Sequence, residues 1–276
     1  MIKLSANLLK KIRVLLPKLL LVSLLLLTFN SMTSASVAIK HPLYGIIIPT
    51  QYETHYLQQA IQHSKTLLIN GVTYHTGTLH DKNIVFVMSG LGKVNAAAVI
   101  SRLIQDFHPE LILLSGSAGS VNPSLQTGDV IIGENVIDVD LGQYTEKGIS
   151  FLDQQYLMSP QTNRPLPLEF KLDEHLLAWI KTWQETIKSS VKFGVIATSD
   201  FLPNPKEQIN LLKMNKVDVV EMEGAAIMHT CWLFNTSCIV VRGVSNNANT
   251  SITSSGIKLA ADNAAKVVID LIQHLP

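Results

Sequence analysis

Short runs of apolar residues alternate along the chain from Tyr44 onward with longer segments whose apolar residues recur every three to four positions. The short runs predict buried strands, and the longer segments predict amphipathic helices. The predicted strands are 45–49, 83–88, 111–114, 129–139, 192–197, 217–221 and 238–244. The predicted helices are 54–64, 92–106, 172–187, 223–234 and 257–275. Apolar strands between helices imply a sheet covered on both faces, so the pattern predicts a three-layer α/β/α domain with a central mixed sheet.

A long polar stretch, residues 141–168, interrupts this alternation. It is rich in Gly, Gln, Thr and Pro. In a compact domain a stretch of this length is usually a functional loop or lid. A disordered surface insertion fits the same composition, and the sequence leaves both interpretations open.

The first 38 residues have a different composition from the rest. They contain five basic residues and no acidic one, then an apolar run at 19–29, then small residues with A-x-A-like cleavage options after Ala35 or Ala38. The apolar run is well short of the roughly 20 residues that a membrane-spanning helix needs. We therefore expect 1–38 to be a cleaved signal peptide rather than a retained anchor. Residues 39–276 then form a single domain that is exported to the periplasm or secreted, without stable membrane insertion.

The overall composition narrows the function classes. The chain of 276 residues is 47% hydrophobic and carries a formal net charge of +1. Without the predicted signal peptide, 17 basic residues face 21 acidic ones. A domain with this charge is a poor partner for nucleic acid, which requires a basic surface. Cys231 and Cys238 fall in a predicted helix and at the start of a predicted strand, and we expect them to be buried free thiols.

Several familiar sequence motifs are incomplete or absent in this sequence. Gly90-Leu91-Gly92-Lys93 resembles part of a phosphate-binding loop, but Val94 stands where a P-loop has Ser or Thr, and Asn95 stands where a dinucleotide-binding motif has its third glycine. The nine histidines are scattered and none belongs to a His-Glu-x-x-His motif. We therefore expect neither a cofactor nor a metal.

Polar segments at the carboxyl ends of predicted strands carry the candidate chemistry, because open α/β sheets bind ligands at that edge. These segments are 48–53, 114–119, 220–225 and 241–246. At these positions the chain resembles the purine and uridine phosphorylase superfamily, and within it the methylthioadenosine/S-adenosylhomocysteine nucleosidases. The matching blocks follow the family's order from about Tyr44 to the C-terminus: Ser89-Gly90-Leu91-Gly92-Lys93-Val94-Asn95-Ala96-Ala97, Ser117-Ala118-Gly119 with Thr127-Gly128-Asp129-Val130, Glu221-Met222-Glu223, and Arg242-Gly243-Val244-Ser245-Asn246.

The resemblance implies hydrolysis of the N-glycosidic bond of a purine nucleoside such as 5′-methylthioadenosine or S-adenosylhomocysteine. Such a bond breaks through an oxocarbenium-like ribose, so the site must stabilise positive charge and hold a nucleophile beneath the sugar. The departing purine also needs a proton or a strong hydrogen bond at N7. Relatives form dimers or hexamers in which a neighbour completes each pocket, so the resemblance implies a homodimer here.

By the same resemblance, Glu53 activates the attacking water and Glu223 holds the ribose hydroxyls. Each carboxylate has a structural alternative, because an acidic residue in the first turn of a helix is favoured by the helix dipole. Arg242 is interpreted as a structural partner beside the site rather than a catalytic group. The remaining residues implied as substrate contacts are Ser117, Ala118, Gly119, Phe201, Leu202, Glu221, Met222 and Ser245. Of these, Ser117 could equally be a turn residue between glycines, and Glu221 faces away from Glu223 if the strand continues.

Asn246 departs from the family, whose general acid at this position is an aspartate. A carboxylic acid can transfer a proton to purine N7, whereas an amide can only donate a hydrogen bond. Losing the proton transfer costs on the order of 10²–10⁴ in rate. Pro203 is a second departure, because in an ungapped alignment it occupies the position of an adenine-recognising backbone N–H, which proline lacks. Shifting the alignment by one residue places Leu202 there instead.

Two other functions compete with hydrolysis. Asparagine is placed at the base by phosphorylases of 6-oxopurine nucleosides, but residues 39–276 contain only three arginines with which to bind phosphate: Arg102, Arg164 and Arg242. A catalytically weak nucleoside-binding or storage protein on the same fold is the other alternative, since the acid is missing.

Overall fold

A mixed ten-stranded sheet forms the centre of the computed structural model, which describes residues 42–145, 148–151, 158–159, 163–167, 169–186, 191–202, 210, 212–213, 216–248 and 250–275. The predicted signal peptide and Pro203 lie outside the described residues. The strands are β1 Leu43–Ile48, β2 Gln62–Ile69, β3 Val72–Leu79, β4 Lys82–Met88, β5 Leu111–Ser120, β6 Val130–Asp138, β7 Gly142–Thr145, β8 Gly148–Phe151, β9 Met158–Ser159, β10 Arg164–Pro165, β11 Glu169–Lys171, β12 Val191–Thr198, β13 Val219–Glu221 and β14 Ser237–Asn247. The helices are α1 His55–Ala60, α2 Lys93–Phe107, α3 Glu174–Thr186, α4 Gly224–Phe234 and α5 Ser254–His274, and a 3₁₀ turn spans Gln51–Glu53.

The sheet contains a closed ring of strands. Its order is β11-β6-β12-β13-β5-β1-β4-β3-β2, and β14 pairs with both β5 and β6. Strands β5, β14, β6, β12 and β13 therefore close on themselves. The pairings of β14 with β6 and of β13 with β5 are antiparallel, whereas β14 with β5 and β1 with its two neighbours are parallel. Because β5 pairs in parallel with β1 on one side and with β14 on the other, the carboxyl ends of these three strands lie at one edge of the sheet.

Helices cover both faces of the sheet, which confirms the predicted three-layer α/β/α architecture. Helices α2 and α4 contribute to one hydrophobic core, and α1, α3 and α5 contribute to the other. Strand β1 shows how one run of residues serves both cores, because Leu43 and Ile47 lie in the first and Tyr44, Ile46 and Ile48 lie in the second. This division follows from the two-residue periodicity of a strand.

A β-hairpin occupies much of the region between the first two predicted strands. The predicted helix 54–64 is wrong beyond Ala60, where the chain turns into strand β2. Strands β2 and β3 pair antiparallel across Asn70-Gly71, whose φ angles are +49° and +83°. Asn-Gly is the residue pair that a tight hairpin turn with positive φ favours, so the signal was present in the sequence.

The polar stretch 141–168 contains short paired strands in the part that the structure describes. Strand β7 pairs antiparallel with β8, and β9 pairs antiparallel with β10. Residues 146–147, 152–157, 160–162 and 168 of this stretch lie outside the described residues.

Cys231 and Cys238 form a disulfide, so the expectation of free thiols is wrong. Asn235 ends helix α4 in a left-handed conformation with a φ of +54°, which turns the chain back toward the sheet. As a result the two cysteine Cα atoms lie 6.3 Å apart, within the range that a disulfide bridges.

Within the described residues, none of the helices combines the length and apolarity needed to span a membrane.

Candidate active site

Glu53 lies in the 3₁₀ turn that follows strand β1, at the edge of the sheet where the predicted site segments meet. Its side chain is buried and its carboxylate accepts four hydrogen bonds. Oε1 accepts from the backbone N–H of Ser117 at 2.7 Å and from the Ser117 hydroxyl at 2.8 Å. Oε2 accepts from the backbone N–H of Thr50 at 3.1 Å and from the Thr50 hydroxyl at 2.9 Å. The carboxylate is therefore fixed between β5 and the start of its own turn.

Glu223 precedes helix α4 and is almost completely buried. One of its carboxylate oxygens, Oε1, accepts from the backbone N–H of Gly92 at 2.9 Å, and Oε2 accepts from Arg242 Nη2 at 3.0 Å. Gly92 has a φ of +87°, and it stands at the start of helix α2, where the backbone N–H groups have no partner within the helix. The start of α2 thus binds a carboxylate from another part of the chain.

Arg242 of strand β14 connects the two glutamates. Its guanidinium is buried and forms ion pairs with Glu223 and with Glu221. Its Nη1 lies 3.5 Å from the carbonyl oxygen of Ser117, the residue that binds Glu53. A Cβ atom at Gly116 would lie only 2.1 Å from this Nη1, so the close approach of the guanidinium requires glycine at that position.

Glu221 does not fit the substrate-contact role that the resemblance implied. It pairs with Arg242, it accepts from the Thr198 hydroxyl, and it accepts from the backbone N–H groups of Glu223 and Gly224 at 2.8–3.0 Å. At least two of these donors bind each oxygen of Glu221, whereas Glu223 accepts only one hydrogen bond from the described residues at each of its oxygens. Glu221 therefore holds the beginning of helix α4 and positions Arg242, and a ligand would have to displace one of these partners to reach it.

The cluster contains more negative than positive charge. Burial raises the pKa of Glu223, Arg242 lowers it, and Glu221 raises it again, with a result of about 7. For Arg242, burial lowers the pKa, but Glu221, Glu223 and Glu53 raise it by a larger amount, so the guanidinium stays charged. Three carboxylates thus surround one guanidinium, an arrangement that favours a further positive charge.

Asn246 lies on the other side of β5, where it pairs with Gly119, two residues beyond Ser117. Its side-chain Nδ2 donates to the carbonyl oxygens of Asn247 at 2.8 Å and Thr250 at 3.1 Å, while Oδ1 accepts from the Ser245 hydroxyl at 2.7 Å. The Ser245 hydroxyl also lies 3.0 Å from the carbonyl oxygen of Ala118. The amide therefore suits this position, because two carbonyl oxygens face its donor group.

The predicted base-side segment lies beside the start of helix α2. Phe201 and Leu202 are 67% and 63% exposed. Met222, which stands between Glu221 and Glu223 in the chain, is partly buried. Asp140 anchors this segment by accepting from the Ser199 hydroxyl and the Asp200 backbone N–H, each at 2.7 Å. Lys93 pairs with Asp138 and Asp140, both at 2.9 Å, and its own backbone N–H donates to Asp200.

Three residues that sequence reasoning did not select contact the catalytic candidates directly. Thr50 binds Glu53, Gly92 binds Glu223, and Thr198 binds Glu221. Thr50 and Glu53 form a Thr-x-x-Glu pattern, which is a known signal for a helical N-terminus and could have indicated their contact. Within the described part of the chain, no group of three or more His, Cys, Asp or Glu side chains forms a candidate metal site.

The profile of the phosphorylase superfamily matches residues 43–274. A 5′-methylthioadenosine/S-adenosylhomocysteine nucleosidase of Oceanobacillus iheyensis is 32% identical over 238 residues, which cover 84% of this chain and 99% of the relative. Among solved structures, the nucleosidase of that name from Neisseria meningitidis, in complex with methylthio-immucillin-A, has a TM-score of 0.73 and 27% identity, and the match covers 85% of this chain and 100% of that one. Futalosine hydrolase of Helicobacter pylori has a TM-score of 0.72 and 26% identity, with 84% and 98% covered. The chain therefore belongs to the phosphorylase superfamily.

Proposed function

We propose that this protein hydrolyses the N-glycosidic bond of purine nucleosides such as 5′-methylthioadenosine or S-adenosylhomocysteine. The observation that carries the proposal is the connected cluster in which Arg242 links Glu223 to the strand segment that binds Glu53. The relatives that this chain matches over nearly their whole length are named nucleosidases. One of them was crystallised with methylthio-immucillin-A. In this proposal, the carboxylates of Glu53 and Glu223 both contact one bound nucleoside.

Glu53 is the group that accepts the proton of the attacking water. The water oxygen forms a bond to ribose C1′, the C1′–N9 bond breaks, and its electron pair leaves with the purine. One proton of the water moves to the Glu53 carboxylate, and the sugar is released with a hydroxyl group at C1′. The Ser117 hydroxyl can rotate away from Glu53 to make room for the water, whereas the two backbone donors cannot.

Glu223 binds the ribose hydroxyls in this proposal. Gly92 and Arg242 hold its two oxygens in place, so the carboxylate needs little reorganisation when the ligand enters. The surplus of negative charge around Arg242 stabilises the positive ribose of the transition state. A fixed field of this kind acts most strongly in a buried site from which water is excluded.

Asn246 limits the rate of purine departure. Its amide cannot transfer a proton, and its donor group is already engaged by two backbone carbonyls. The departing purine must therefore take its proton from water. We propose that the base preference differs from that of relatives with an aspartate here, with 6-aminopurine nucleosides cleaved slowly.

The arginines favour hydrolysis over phosphorolysis. Arg242 is occupied by carboxylates, Arg102 pairs with Asp106 on helix α2, and the guanidinium of Arg164 lies over the ring of Trp232. Because these are the only arginines of residues 39–276, no guanidinium is left to grip a phosphate beneath the ribose.

We propose that the protein is a homodimer whose second copy covers the groove between helices α2 and α4. The groove has a volume of about 450 Å³ and begins at Lys93, the neighbour of Gly92 in the site. Small side chains on the two helices, Ala97 and Ala226 among them, allow a partner to approach closely, and Val94 beside them is 81% exposed. Sedimentation should give a dimer that Val94→Asp weakens, whereas Leu68→Asp, at an equally exposed site on β2, should leave it intact.

Export is the proposed localisation. The basic and apolar composition of residues 1–38 supports it, and so does the disulfide, because disulfides persist in oxidising compartments. Determining the N-terminus of the protein recovered from its native host tests this, with cleavage expected after Ala35 or Ala38.

The activity is tested by incubating residues 39–276 with 5′-methylthioadenosine, adenosine, inosine and guanosine, with and without phosphate. Release of free purine without phosphate is the expected result. A strict phosphate requirement would identify a phosphorylase. Saturable binding without turnover of any of the four nucleosides would favour the binding or storage protein.

A further inference from the structure

Thr50 provides two of the four hydrogen bonds to Glu53. Its backbone N–H and its hydroxyl both donate to Oε2, at 3.1 and 2.9 Å. The pair therefore mirrors Ser117, whose N–H and hydroxyl donate to Oε1. We propose that Thr50 is a positioning residue for the water-activating carboxylate, one that fixes the orientation of the Glu53 oxygens; this inference rests on the proposed function.

The hydrogen-bond directions carry the argument. A backbone N–H can donate only, so the N–H groups of Thr50 and Ser117 hold one oxygen of the Glu53 carboxylate each. The Thr50 hydroxyl donates to the same oxygen as the Thr50 N–H, and the Thr50 side chain also faces the backbone N–H of Glu53 in a capping box. A hydrogen bond to an ionised group contributes more than one between neutral groups. Removing this hydroxyl should therefore loosen the hold on Glu53 Oε2 and let the carboxylate change its orientation.

Thr54 offers a matched control in the same short segment. Its hydroxyl donates to the carbonyl oxygen of Gln51 at 2.9 Å and does not contact Glu53. Thr54→Val therefore removes a buried hydroxyl from the same turn without removing a donor to the carboxylate. Thr50→Ser keeps the donor that Thr50→Val removes, and so tests whether the hydroxyl itself is responsible.

The experiment combines crystal structures with steady-state kinetics of residues 39–276 on the best nucleoside of the panel. We expect the Glu53 carboxylate to leave its place between Thr50 and Ser117 in the Thr50→Val structure, and to keep that place in Thr50→Ser and Thr54→Val. We expect kcat to fall about tenfold in Thr50→Val, with KM changed less than twofold, and to stay within about twofold of the unaltered protein in the other two variants.

A Glu53 carboxylate that keeps its place in the Thr50→Val structure would overturn the inference, as would an equal displacement in Thr54→Val or a failure of Thr50→Ser to restore the place. The crystal structures need no turnover. If the protein cleaves no nucleoside, the proposed function fails, while the structures still decide whether Thr50 positions Glu53.

Discussion

Gly92 donates its backbone N–H to a carboxylate oxygen of Glu223, 131 positions later in the chain, across 2.9 Å. The glycine turn before helix α2 superficially resembles a phosphate-binding loop, and the start of this helix does bind an anion. The anion is a side chain of the protein itself. The favourable field at a helix N-terminus is therefore used to orient the carboxylate that binds ribose in the proposed mechanism.

Gly92→Ala should damage both stability and substrate binding. Its φ of +87° is unfavourable for alanine, and the added Cβ would lie 3.1 Å from Asp200 Oδ1. We expect a loss of about 1 kcal/mol in the free energy of unfolding and a rise in KM of roughly tenfold, because Glu223 loses its fixed position. Gly71→Ala is the control, since Gly71 also has a positive φ of +83° but nothing lies within 4 Å of its added Cβ. A similar rise in KM in both variants would contradict this role of Gly92.

Glu223 should make stability depend on pH. Its pKa of about 7 in the folded protein is above the ordinary value of 4.5, so the folded state binds this proton more tightly than the unfolded state. The resulting stability is fully present below about pH 4.5 and is lost as pH rises through 7. Glu223→Gln removes this effect. Between pH 5 and pH 8, the stability of the variant relative to the unaltered protein should increase by about 2–3 kcal/mol.

Thermal and urea unfolding at several pH values measure this difference. Glu134→Gln, which removes a half-exposed partner of Lys181, should show no comparable trend. A difference for Glu223→Gln that stays flat from pH 5 to pH 8 would show that Glu223 is already ionised throughout this range.

Asn246→Asp should raise activity on 6-aminopurine nucleosides. The new carboxyl group would be buried as the amide is, and burial favours its protonated form. A protonated acid beside the departing purine restores the proton transfer that an amide cannot perform. We expect kcat on adenosine or 5′-methylthioadenosine to rise at least tenfold, with a smaller change on inosine. An unchanged kcat on the 6-aminopurines would mean that the missing acid does not limit the reaction.

Reduction of the Cys231–Cys238 disulfide should lower stability without removing the site. The bond joins the last turn of α4 to the first residues of β14, the two elements that deliver Glu223 and Arg242. A disulfide that closes so short a loop contributes about 2 kcal/mol. The double variant Cys231→Ala/Cys238→Ala should unfold at a lower temperature, and a reducing agent should lower the midpoint of the unaltered protein only. Two titratable thiols in the untreated native protein would disprove the bond.

The layered fold and the main carboxylates of the site could be predicted from the sequence, because both depend on local signals. Apolar runs identified the central strands to within a few residues at most ends, and the Glu-Met-Glu block singled out Glu223. Strand β5 was harder, since its polar half, Ser115–Ser120, continues the strand past the predicted end at Leu114. Pairing with β14 and β13 stabilises this extension of the strand, and no local sequence pattern predicts pairing with strands so distant in the chain.

The division of roles between Glu221 and Glu223 also depends on distant residues. Both carboxylates pair with Arg242, but only Glu221 also accepts hydrogen bonds from Thr198 and from the start of α4. Thr198 and Arg242 belong to strands β12 and β14, which come together with Glu221 only in the folded sheet. The spacing of two residues in Glu-Met-Glu cannot reveal which carboxylate remains available to a ligand.

The most direct test of the proposed mechanism compares the unaltered protein with Glu53→Gln in phosphate-free buffer on the best nucleoside of the panel. The unaltered protein should release free purine, and Glu53→Gln should lose at least a hundredfold in kcat while it still binds that nucleoside and stays folded. Glu134→Gln, at a carboxylate that pairs with Lys181 away from the cluster, should keep full activity. Release of purine by Glu53→Gln at a rate within a few-fold of the unaltered protein would contradict the role of this carboxylate.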